Sequence, residues 1–188
     1  MICLMLAALM FLFATTALAA SAPKISKDDF MMKIGRTKID LLTDGIASIV
    51  KASVNKKLIQ EDFGYDETEF VLSAKEAEFH IPIDGDYCSC VDLLKKGVTS
   101  RGIRIGSKES ALLKAYPEPD EKNATGKFTD YCFRMRGAPK ELSAAVKKNL
   151  NNVRPDYFYD LYFTVNDRTK KVVRILYLSP FCSAGWYE

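Results

Sequence analysis

Nine consecutive residues, 157–165 (YFYDLYFTV), set the strictest limit on how this chain can fold. Positions 157, 159, 161, 163 and 165 are all aromatic or aliphatic. A period of two is what a strand with one buried face requires, whereas a helix would scatter these side chains around its circumference. The turn 166–170 follows, and the return strand sets Val173, Ile175 and Tyr177 on one face, so the segment reads as a hairpin. Alternation also marks residues 69–73, 77–83 and 129–136 as strands, and 87–94 as an extended run ending at a turn around Gly97. Helices are expected at 108–116 and 139–150. In the first, Ala111, Leu112, Ala115 and Tyr116 recur at helical spacing before Pro117 and Pro119. In the second, Pro139 stands at a tolerated first-turn position. The expected class is α+β, with short helices packed on one side of a mostly antiparallel sheet.

A short internal match suggests two imperfect helix-sheet repeats starting near residues 33 and 104. Residues 33–42 (KIGRTKIDLL) align without gaps on 104–113 (RIGSKESALL). Each copy presents an extended lead-in and a glycine, where φ is free to be positive. A hydroxyl residue, Thr37 or Ser107, then caps a helix.

Residues 1–20 read as a secretory signal peptide. An uncharged apolar run from Ile2 to Phe13 gives way to small residues and the Ala17-Leu18-Ala19 pattern that signal peptidases cut after. The first lysine is Lys24, so the α-amino group alone supplies the positive end. The rival reading is an uncleaved anchor, since a helix of about 20 residues spans a bilayer. Cleavage after position 19 leaves residues 20–188 as a single exported domain, with membrane contact only if the leader is retained. The net charge of +3 is spread along the chain in two-residue clusters. Nucleic-acid binding, which needs a concentrated basic face, is not expected.

Four cysteines follow the leader: Cys88, Cys90, Cys132 and Cys182. An even number in an oxidising compartment reads as two disulfides. Cys88 and Cys90 are two apart on an expected strand, so both side chains point to one face, and a bridge between them is strained. Each then pairs with Cys132 or Cys182, in either order. Two rival readings are a four-thiolate zinc site and a thiol oxidoreductase. Cys-x-Cys has neither the usual zinc-ligand spacing nor that of the Cys-x-x-Cys redox motif. The single histidine, His80, reads as a surface or hydrogen-bonded residue rather than a ligand.

Residues 101–119 (RGIRIGSKESALLKAYPEP) resemble the helix-and-sheet repeat of β-lactamase-inhibitor-like proteins. They are similar also to the small outer-membrane lipoproteins of the barrel-assembly machinery and to exported bacterial proteins of unknown role. Gly106, Leu112, Tyr116 and Pro119 fall on that pattern, while Ser107 is one place early for the cap and Pro117 stands where the family has glycine. The resemblance implies a non-enzymatic protein that binds other proteins or an envelope component, and it transfers no catalytic residue.

Other candidates are weaker. Asp84, Asp86 and Asp92 lack the dense spacing of a calcium loop. Glu67 and Glu69 share a strand face as a carboxylate pair but read as solvated surface, and there is no Gly-x-Ser-x-Gly elbow. Asn123-Ala124-Thr125 matches a glycosylation acceptor. Phe158 and Tyr162, on the opposite strand face from the apolar row and beside Asp160, join Trp186 as binding-surface candidates. The sequence therefore points to an exported, non-enzymatic protein with no cofactor, which binds a protein or cell-envelope partner. The alternatives are an extracytoplasmic inhibitor of a hydrolase, or a thiol- or metal-dependent protein using the cysteines.

Overall fold

The computed structural model describes residues 22–41, 49, 55–62, 68–82, 88, 90–136 and 158–179. Ten strands are defined: β1 (Met31–Ile34), β2 (Thr37–Asp40), β3 (Asn55–Asp62), β4 (Thr68–Ser73), β5 (Ala77–Pro82), β6 (Cys90–Leu93), β7 (Glu121–Ala124), β8 (Phe128–Arg136), β9 (Phe158–Asn166) and β10 (Lys171–Leu178). Helix α1 (Glu109–Ala115) lies between β6 and β7, and a 3-10 turn, Lys27–Phe30, precedes β1. Strands β1 and β2 form a separate hairpin, and the other eight form one sheet in the order β3-β4-β5-β6-β10-β9-β8-β7, antiparallel throughout.

This overturns the α+β expectation of helices packed on one side of a sheet. The described residues are mostly β, with α1 a helix of seven residues. The expected helix at 139–150 lies outside the described residues. Among the described residues, much of the inner face is closed by the β1–β2 hairpin, through Met32, Ile34 and Ile39, together with Phe30, Ile49, Ile103, Leu112 and Tyr116.

Strand β9 behaves as its alternation requires: Tyr159, Leu161, Phe163 and Val165 are all buried. Neighbouring strands add Phe79, Ile81, Val91, Leu93, Ile175, Tyr177, Tyr131 and Phe133 to the same core. The return strand differs from expectation. A β-bulge between Val172 and Arg174 shifts the register, so that Val172 is buried and Val173 is 40% exposed. An inserted residue reverses the faces on one side of it. Its edge is stitched to the approach to α1, since the Gly106 N–H donates to the Val172 carbonyl and the Val172 N–H to that of Ser107.

The two matching stretches share a glycine but not a conformation. Gly35 (φ 57°) turns the β1–β2 hairpin, and Thr37 begins a strand instead of capping a helix. Gly106 (φ 91°) does lead into a helix, but the Ser107 hydroxyl accepts the Arg104 N–H, and Lys108 is the N-cap without a side-chain bond. Both values lie where only glycine is unstrained.

One ion pair fastens the N-terminal hairpin to the domain. Asp29, 2% exposed, receives both Arg101 Nε (2.5 Å) and Nη2 (2.7 Å). The same guanidinium donates to the carbonyls of Pro23, Lys24 and Ala115 and lies 4.8 Å from the Tyr116 ring centroid. The Asp29 carboxylate also receives the Ser26 N–H. Removing one partner of such a pair strands the other charge out of water. Asp29→Ala is therefore expected to lower the unfolding free energy by about 3 kcal/mol, measured by urea denaturation.

At the other end of the inner face, the Tyr131 hydroxyl donates to Glu109 Oε1 at 2.5 Å. Burial first, and then that carboxylate, pushes its phenol up to about 12. An unfolded tyrosine ionises near 10, so the unfolded chain releases its proton first. This contribution to stability is complete below pH of about 10 and is lost as pH rises through about 12. Tyr131→Phe is expected to flatten that alkaline loss by about 1–2 kcal/mol, read from urea midpoints across the range.

Candidate functional site

The outer face of the sheet carries the chemistry. In β5, His80 alternates with the core residues Phe79 and Ile81, and in β6 Cys90 and Asp92 flank the buried Val91. The register sets His80 directly opposite Cys90 and Glu78 directly opposite Asp92. One donor atom from each of His80, Cys90 and Asp92 lies within 4.8 Å of the other two, and all three side chains are half-buried. On the far side of β6, strand β10 places Leu178 opposite Cys90 and Leu176 opposite Asp92. Arg174, just past the bulge, grips Asp92 with Nε at 2.9 Å and Nη2 at 2.7 Å. That pairing raises the guanidinium pKa, chiefly through the hydrogen bond.

The same face continues onto β9 and β8. Tyr162 lies between Leu176 of β10 and Cys132 of β8 in the ladder. Asp160 and Arg134 face each other and pair at 2.8 and 3.2 Å, and Arg134 also reaches Glu121 at 2.9 Å. Asp160 raises the Arg134 pKa, mainly by accepting its hydrogen bonds. Cys132 is 1% exposed, and burial, reinforced by the Asp160 charge, pushes its thiol up to about 12. A thiol so placed is a poor nucleophile at neutral pH.

The structure separates the sequence candidates. Tyr162 is half-buried on the outer face with Asp160, as alternation predicts. Phe158 opens β9, opposite Arg136. Cys182 and Trp186 lie outside the described residues, as do Asp84, Asp86 and Glu67. No disulfide joins any two of Cys88, Cys90 and Cys132. Strands β10 and β9 stand between β6 and β8, so Cys90 and Cys132 are about three ladder spacings, roughly 14 Å, apart. A disulfide spans less than about 7 Å between Cα atoms. Nor do Cys88 and Cys90 share an environment. Cys88 precedes β6 and is buried with the core, its Sγ 3.0 Å from the Cys90 carbonyl and 3.3 Å from that of His80.

Sequence reasoning set His80 aside as solitary and met Asp92 only within a calcium-loop pattern. It missed Arg174. Two-residue spacing does place Cys90 and Asp92 on one face, but which strand lies beside them is a property of topology. A reactivity difference follows from the environments of the two thiols. In the folded, reduced protein at pH 8, iodoacetamide is expected to modify Cys90 at least about a hundredfold faster than Cys132, as followed by peptide mass spectrometry.

No family model matches the sequence, and no curated protein matches it. Among solved structures, a cysteine-rich secretory protein from Staphylococcus aureus subsp. aureus Mu50 aligns with a TM-score of 0.39 at 11% identity. The alignment covers 74% of this chain and 44% of that one, so the chain spans under half the length of the protein it matches.

Proposed function

We propose that the protein is exported and works outside the cytoplasm as a non-enzymatic binding protein, presenting the outer face of its sheet to a protein or cell-envelope partner. The observation that carries this reading is the row of half-exposed side chains on adjacent strands. Tyr162 on β9 stands beside Leu176 on β10, with Arg174 two residues further along and Asp92 paired to it. Tyrosine and arginine are among the residue types enriched at binding hot spots. Strand pairing holds them at fixed spacing. The leader at 1–19, ending in Ala17-Leu18-Ala19, supports export. The likeness of residues 101–119 to the repeat of exported binding proteins points the same way.

Two measurements test it. The intact mass of protein recovered outside the expressing cell is expected to begin at Ala20; a mass retaining residues 1–19 argues for an anchor. A photo-crosslinking amino acid at position 162 is expected to give discrete adducts in the native host, whereas one at the exposed Lys114 on α1 gives none. Equal labelling from both positions overturns the outer face as the binding surface.

A further inference from the structure

We infer that His80, Cys90 and Asp92 form a binding site for one divalent transition metal of zinc-like character. Sheet register alone assembles this trio. His80 and Cys90 are direct cross-strand partners, and Asp92 is the next residue of β6 on the same face. Their donor atoms already lie within 4.8 Å of one another. Ligands around a tetrahedral zinc ion, with bonds of about 2.0–2.3 Å, sit roughly 3.5 Å apart. Side-chain rotation by about an ångström closes that gap without moving a strand.

The donor set selects the class of ion. An imidazole nitrogen, a thiolate sulfur and a carboxylate oxygen together suit zinc, cobalt or nickel, and a thiolate does not suit calcium or magnesium. Three ligands come from the described residues, and a tetrahedral ion has a fourth position for water or a further side chain.

The surroundings fit a cation. Glu78 faces Asp92 across the ladder and accepts a hydrogen bond from Ser73 at 3.4 Å. Among the described residues, Arg174 pairs with Asp92, and Glu78 adds a second carboxylate opposite it in the ladder. Apolar side chains flank it: Val71 opposite His80 on β4, Leu178 opposite Cys90 and Leu176 opposite Asp92 on β10. Such a shell lowers the local dielectric and strengthens ligation. Arg174 holds Asp92 through both oxygens. A carboxylate oxygen has a further lone pair for a metal, so Arg174 orients this ligand in the manner of an outer-shell partner. Cys88 stays outside the set, its sulfur directed at the His80 and Cys90 carbonyls.

The test uses the secreted protein kept reduced with a phosphine, which does not itself supply a thiol. Titration with Zn²⁺ is expected to show one site per chain, and Co²⁺ to produce the near-ultraviolet absorption of a thiolate-to-cobalt bond. Cys90→Ser is expected to abolish that band and Cys132→Ser to preserve it. His80→Ala is expected to weaken Zn²⁺ binding at least about tenfold, and bound Zn²⁺ to protect Cys90 from alkylation. Circular dichroism of each variant shows whether it is folded, and a misfolded variant is replaced by His80→Gln or Cys90→Ala. Absence of Zn²⁺ binding by the folded wild type, or a cobalt–thiolate band that survives in a folded Cys90 variant, overturns the site.

Discussion

The structure depends on the division of one antiparallel sheet into two unlike faces. Strand pairing fixes the period at two, so each residue committed to the core commits its neighbours to the other side. Tyr159, Leu161, Phe163 and Val165 are driven inward by their apolar area, and Asp160, Tyr162 and Thr164 are therefore held outward on β9. The same constraint operates on β8, β10, β6 and β5. Packing on the inner face, where Tyr116 stacks at 4.9 Å against Phe133 and 5.0 Å against Phe163, thereby sets the spacing of polar groups on the outer one. The inner face needs a cover, and the chain supplies it from the N-terminal hairpin and from the segment carrying Ile103, Leu112 and Tyr116. The Asp29–Arg101 pair, with three carbonyls on the same guanidinium, brings Phe30 against Tyr159 and Tyr177, with ring centroids at 5.7 and 6.1 Å.

Local pattern made much of the sheet legible, and non-local pairing hid the rest. The alternation of β9, the span of β8 and the short helix before Pro117 could be read because each is specified within about ten residues of chain. Three misreadings have physical causes. The Ile34-Gly35 stretch looked like a helix lead-in because it matched residues 104–113, yet Gly35 at φ 57° serves a hairpin turn equally well. Strand pairing between β1 and β2 decided the outcome. Val173 looked buried because strict alternation was extended through residue 172, where the bulge interrupts it. Strand β7 is exposed at every position, so no apolar period announces it. Its pairing with β8 makes it a strand.

The cysteines show how little a count of residues says about geometry. Four thiols suggested two cross-links between the middle of the chain and its end. Cys182 lies outside the described residues; among the others, the strand order sets β10 and β9 between Cys90 and Cys132. It gives the thiols opposed surroundings: Cys132 sealed beside the Asp160 carboxylate, Cys90 half-exposed beside His80. One environment suppresses ionisation and the other invites a cation.

The candidate site and the fold share a single register, which makes the site hard to lose without losing the core. Sliding β6 by one residue against β5 breaks the His80–Cys90 and Glu78–Asp92 pairs, and it also turns Val91 and Leu93 to the outer face while Cys90 and Asp92 enter the core. The cost of burying a carboxylate and exposing two aliphatic side chains then opposes the slip. On the other flank, the bulge lets Val172 remain in the core while Arg174 faces outward two residues later, within reach of Asp92. The carboxylate is thus held between two strands, one bringing Glu78 and His80, the other bringing the guanidinium. Its charge is shared between a cation the chain already provides and the ion that the neighbouring imidazole and thiol are placed to receive.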